Sequence, residues 1–242
     1  MNLQPQVSMW GGLEDKPYFS EISWSHGNHR YAMEAFFKYL DDENIINEYF
    51  IGGSFYSQTT LLPQEYLYNN IQNLENIYGD FASKYVSGIM FSDEDYFGIK
   101  EMIKLVIDFS CDWFNVGNCN EETNLAYNNQ YVSEINESGT NGYVTPVEKN
   151  EAWSWTVVKI NTSQQQSFTL DFQPDELGNE GTQSNFKLYL TNRENNLVQQ
   201  VDFNGEINVD PNLDYFLVMV NTPQRFEGWE TFDYQLKVTP VN

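Results

Sequence analysis

The chain has 242 residues, with 12 Lys plus Arg against 35 Asp plus Glu, which gives a formal charge of −23 and a pI near 4.1. So few cations cannot displace enough counterions to bind DNA or RNA through phosphates, and an anionic membrane surface would repel the chain, so nucleic acid is excluded as a partner. At 40% hydrophobic and 16% aromatic residues the sequence is too apolar for an acidic disordered tail, and the charge belongs on the outside of one large domain or two small ones.

No apolar run approaches the ~18 residues that span a bilayer. The longest, such as Tyr215 to Val220, are strand-sized. The opening Met-Asn-Leu-Gln-Pro-Gln has neither the basic nor the apolar region of a signal peptide, so export implies a signal outside this chain. Cys111 and Cys119 flank a short polar loop and are close enough to pair. An acidic surface and a β-rich second half favour an extracellular disulfide, with two reduced thiols as the alternative.

Residues 29 to 110 carry helical periodicity. Ala32, Phe36, Tyr39 and Leu40 share one face, and Asp41 with Asp42 offers an N-cap for a short helix through Ile45, Ile46 and Tyr49. Leu62-Pro63 opens the clearest helix, with Leu67, Ile71, Leu74 and Ile77 or Tyr78 on its apolar stripe and Gly79 as its stop. Phe81, Tyr85 and Ile89 continue the pattern. Ser92 and Asp95 resemble a capping box ahead of Ile99, Met102, Ile103, Val106 and Ile107. Short connections imply antiparallel neighbours in a helical layer.

From Asn115 to Asn150 the periodicity is lost, and residues 137 to 145 have the composition of a linker. Strand-like segments follow at 153–160, 168–172, 186–190, 197–203, 207–209, 215–220 and 232–238, separated by Gly, Asn, Asp and Pro. Such spacing predicts an antiparallel sandwich. The expected architecture is a segregated α+β chain: an antiparallel helical domain over 1–145, then a jelly-roll-like β-sandwich over 146–242.

Three places could carry chemistry or binding. His26, His29 and Glu34 could supply three zinc ligands, although His-Glu-x-x-His is missing and a capped helix start explains the same residues structurally. Asp171, Asp175, Glu176 and Glu180 form an oxygen-rich stretch that could ligate calcium or simply be a solvated turn. Among the aromatics, Trp153 and Trp155 share a strand face and belong to the core, whereas Trp229 is the best candidate for an exposed platform under a sugar ring. Gly-x-Ser-x-Gly and phosphate-binding glycine loops do not occur.

The stretch Tyr215-Phe-Leu-Val-Met-Val-Asn-Thr-Pro223 and the closing Tyr234-Gln-Leu-Lys-Val238, with Trp155 to Ile160, Phe168 to Phe172 and Phe186 to Leu190, resemble the C-terminal β-sandwich modules of secreted bacterial peptidases. Arg30-Tyr-Ala-Met-Glu-Ala-Phe-Phe-Lys-Tyr-Leu40 is similar to the helical region that follows the zinc site in gluzincin-like secreted proteins. The resemblance implies an extracellular or cell-surface accessory module that engages a protein, peptide or glycan, with an upstream catalytic domain as a possible partner. Active members of such families carry the His-Glu-x-x-His helix that this chain lacks, which leaves a fragment, a member without its metal, or no kinship. Two function classes remain open: a binding module without chemistry, and a zinc-dependent hydrolase or a C-terminal fragment of one. The charge discriminates between neither, since six bases and 21 acids lie up to residue 147 and six and 14 beyond it. That spread describes a solubilising exterior.

Overall fold

The computed structural model describes residues 7–8, 36–47, 50, 63–90, 132–146, 149–225 and 230–241. Helical residues occupy 36–42 (α1), Pro63–Asn70 (α2) and Leu74–Ser87 (α3). The expected helix start at Asp41 and Asp42 is a helix end. Ile45 and Ile46 both donate their N–H to Leu40 O, at 2.8 and 3.2 Å, and Asn44 adopts φ 56°, the left-handed residue that closes a helix. Asp42 instead pairs with Lys38 one turn earlier at 3.0 Å.

Nor is Gly79 a stop. The break falls at Asn73, whose φ of 59° separates α2 from α3, and α3 runs on to Gly88, whose N–H donates to Tyr85 O. Gly79 lies where α3 touches the sheet: a Cβ there would run into the Tyr189 ring and hydroxyl. The glycine marks a close approach rather than a chain reversal.

The strands are β1 (Val7–Ser8), β2 (Val132–Ile135), β3 (Asn150–Glu151), β4 (Ser154–Ile160), β5 (Gln166–Pro174), β6 (Phe186–Asn192), β7 (Leu197–Val201), β8 (Glu206–Val209), β9 (Tyr215–Asn221), β10 (Thr231–Phe232) and β11 (Tyr234–Pro240). One sheet has the order β1-β4-β9-β6-β7 with β2 also on β4, a second is β11-β5-β8, and β3 pairs with β10 in a ribbon. All seven anticipated strand segments are present. The molecule is mostly β with few helices among the described residues.

The expectation of a purely antiparallel sandwich needs one correction, and the way the described helices pack on it is a second finding. First, β2 runs parallel to β4, with Val132 opposite Val157 and Ile135 opposite Ile160. Second, the described helices share one core with the sheet. Along β9, Tyr215, Leu217 and Met219 point between the two sheets, while Phe216, Val218 and Val220 point the other way and join Phe36, Leu67, Tyr78, Phe81 and Tyr85 in one hydrophobic cluster. A strand apolar at every position must be covered on both faces, and α3 supplies the second cover across β6 and β9. Trp153 and Trp155 are buried in that cluster as the sequence suggests. Tyr78 donates its hydroxyl to Trp153 O at 2.8 Å, fixing the helix to a residue with φ 56°.

Residues 137–145 are likewise no linker. Thr140 N–H donates to Val238 O, and Val144 exchanges both backbone bonds with Leu236 at 2.8 and 2.9 Å. This stretch forms an irregular border along β11.

Candidate functional site

That border carries Tyr143 onto the outer face of the β11-β5-β8 sheet. Phe168, Leu170 and Phe172 of β5 and Tyr234, Leu236 and Val238 of β11 face inward, so alternation turns Thr169, Asp171, Gln173, Gln235, Lys237 and Thr239 to solvent. Register places Lys237 opposite Asp171 and Gln235 opposite Gln173. Over this polar face lies the Tyr143 ring, 44% exposed, with Lys237 Nζ 5.9 Å from its centroid.

Two side chains tether the ring by its hydroxyl. The Tyr143 hydroxyl donates to Asp171 Oδ2, and Gln173 Nε2 donates to Tyr143 Oη at 2.8 Å and to Asp171 Oδ1 at 2.9 Å. The Tyr143 hydroxyl, then the Gln173 amide and the Lys237 charge hold the Asp171 carboxyl below its ordinary value. The same bond from Asp171 raises the Tyr143 phenol. A freely rotating aromatic loses entropy when a ligand stacks on it; one already tethered at its hydroxyl loses less.

A second arrangement sits where β5 gives way to β6. The loop 175–184 folds on itself, with Gly178 N–H donating to Thr182 O and Ser184 N–H to Glu176 O at 2.9 and 2.8 Å. Beneath it lies the Glu230 carboxylate, 0% exposed, whose Oε1 accepts the backbone N–H groups of Glu180 and Thr182 at 3.1 and 2.9 Å. Arg225 bridges Glu180 and Glu230, with its Nε 3.8 Å from Glu230 Oε2. Glu230 Oε2 and Arg225 Nε have no hydrogen-bond partner, and neither do both amide atoms of buried Asn150 and Nδ2 of buried Asn221. Asn150 stands directly opposite Phe232, which is two residues along the chain from Glu230.

The residues anticipated from sequence fare unequally. Asp171 takes part in the Tyr143 cluster. Three strand residues, hence four residue steps or about 13 Å of extended chain, separate it from Asp175, and Asp175 with exposed Glu176 belongs to the loop. Among the described residues no three His, Cys, Asp or Glu side chains group to hold a metal ion. His26, His29, Glu34, Cys111, Cys119 and Trp229 lie outside the described residues. Sequence reasoning missed Tyr143, Gln173 and Lys237 because the first sat in a stretch with linker composition; the Asn-Gly preceding Tyr143, a turn signal, was its only mark.

No family model and no curated protein matches the chain. Among solved structures it is similar to the pre-peptidase C-terminal domain of a collagenase from Bacillus anthracis, at 13% identity over 45% of this chain and 94% of that one, with a TM-score of 0.29. It is also similar to a periplasmic inhibitor of g-type lysozyme from Salmonella Typhimurium, at 10% identity over 45% of this chain and 98% of that one, with a TM-score of 0.32. Likenesses this loose carry no argument about fold or function.

Proposed function

We propose that the chain is a non-catalytic accessory module of an exported, metallopeptidase-like protein, and that it binds a neutral glycan on the outer face of the β11-β5-β8 sheet. The observation that supports this most directly is the tethered, half-open Tyr143 ring surrounded by Asp171, Gln173, Gln235 and Lys237. A sugar ring offers an apolar C–H face to an aromatic and a rim of hydroxyls that both donate and accept. Carboxylate, carboxamide and ammonium groups around one aromatic match that pattern. A formal charge of −23 disfavours polyanionic glycans.

Isothermal titration against soluble neutral oligosaccharides chosen from a glycan array tests the reading. Tyr143→Ala is expected to weaken binding by roughly tenfold or more, as loss of a stacked anchor does, while Trp229→Ala leaves it unchanged. Retained affinity in Tyr143→Ala would remove the platform. Stoichiometric zinc in protein purified without added metal, lost in both His26→Ala and His29→Ala, would overturn the non-catalytic part of the proposal.

A further inference from the structure

The loop 175–184 presents Leu177 to solvent at 58% exposure, on a backbone with little freedom to withdraw it. Asp175 N–H donates to Asp233 O, Asn179 N–H to Thr231 O, and Thr231 N–H to Asn179 Oδ1, at 2.9, 3.2 and 2.6 Å, so the loop is laced to the chain around β10 as well as to itself. Its underside is held by a carboxylate taken out of water, one oxygen of which makes no hydrogen bond and faces Arg225 Nε across 3.8 Å. Desolvating a carboxylate whose ion pair is this long offsets much of what the pair contributes. A fold that bears this cost to fix a loop displaying a large apolar side chain has traded stability for presentation.

We infer that this loop is a docking element for a protein partner, one whose surface offers an apolar pocket rimmed by Lys and Arg. Leu177 is the anchor. Asp175, Glu176 and Glu180 are exposed in the same loop, and the cation beside them, Arg225, is engaged with Glu180 and Glu230. An apolar knob inside a carboxylate ring is complementary to a cationic rim, whereas anionic lipid and nucleic acid would be repelled. Pre-organisation lowers the ordering cost of association, so a small contact with one anchor is enough to bind. This surface is distinct from the Tyr143 face, and the inference stands without the glycan reading.

The test uses the whole chain as bait for a phage-displayed random peptide library, with the enriched peptides synthesised and measured by surface plasmon resonance. Enriched sequences are expected to combine Lys or Arg with aliphatic or aromatic residues. Their affinity should fall roughly tenfold in Leu177→Asp and several-fold in Glu176→Lys, both exposed positions whose substitution spares the core. Gly178→Ala adds no surface chemistry but places a Cβ 2.6 Å from Glu230 Oε1 and 2.8 Å from Phe232 Cε1, so it displaces the loop and should weaken the same peptides. Tyr143→Ala should leave them unaffected. A selection that enriches no peptide, winners without basic residues, or binding that survives Leu177→Asp overturns the inference.

Discussion

At residue scale, the Tyr143–Asp171 bond has a defined pH window. A carboxyl with a depressed folded pKa stabilises the fold above its unfolded value, and that contribution is lost as pH falls through the folded value. Asp171, ordinarily 3.8, behaves this way through the Tyr143 hydroxyl, then the Gln173 amide and the Lys237 charge. Tyr143, ordinarily 10.0, is raised by the same bond, so its contribution is complete below that pH and disappears as pH rises through the folded value. The bond's contribution is therefore complete between the two ordinary values, 3.8 and 10.0, and is lost only beyond them on either side. Asp171→Asn should bring the Tyr143 titration back toward 10.0, observable by ring-carbon NMR; an unmoved titration would show that the contact does not form in solution.

Tyr189 illustrates the opposite situation. Its hydroxyl is buried against Gly79 without a partner, and burial pushes the phenol up to about 12. Removing an unsatisfied buried hydroxyl relieves its desolvation cost, so Tyr189→Phe should stabilise the fold by about 1 kcal/mol in denaturant unfolding. Gly79→Ala should destabilise it by ~1–3 kcal/mol, because the sheet and α3 must separate to admit one methyl group. Equal stability in all three proteins would mean that the interface is looser than its geometry.

At the scale of elements, β9 decides the architecture. Its run Tyr-Phe-Leu-Val-Met-Val announces a strand covered on both faces, and α3 is that second cover. Phe81 lies between them, against Phe36, Tyr78 and Trp155. Phe81→Ala should cost ~3–5 kcal/mol, and helix signal by circular dichroism and tryptophan fluorescence should lose structure in one coincident transition. Two separated transitions would mean that helices and sandwich fold apart. The seven main strands were legible from alternation and turn residues. The pairing of β2 with β4, the border along β11 and the helix break at Asn73 were not, because each is set by contacts distant in sequence that leave no local period. The candidate site was legible only at Asp171, whose relevant partner is 28 residues away rather than in its own acidic stretch.

At the scale of the whole molecule, the charge of −23 bears on the stability of the fold and on one of the two proposed surfaces, and leaves the other indifferent. Like charges destabilise the compact state by mutual repulsion, and salt shortens the reach of that repulsion to ~8 Å at physiological ionic strength. Thermal stability should therefore rise between low salt and about 0.15 M. A neutral glycan on the Tyr143 face exchanges no net charge with the protein, so its affinity should stay flat over the same range. A cationic peptide on the Leu177 loop is drawn by the exposed carboxylates of Asp175, Glu176 and Glu180, and its association rate should fall as salt rises while its dissociation rate changes little. Measuring both ligands across one salt series separates the two surfaces without any mutation. A glycan affinity that tracked salt would place charge in the sugar site, and a peptide association rate indifferent to salt would leave Leu177 as an apolar contact without its acidic rim.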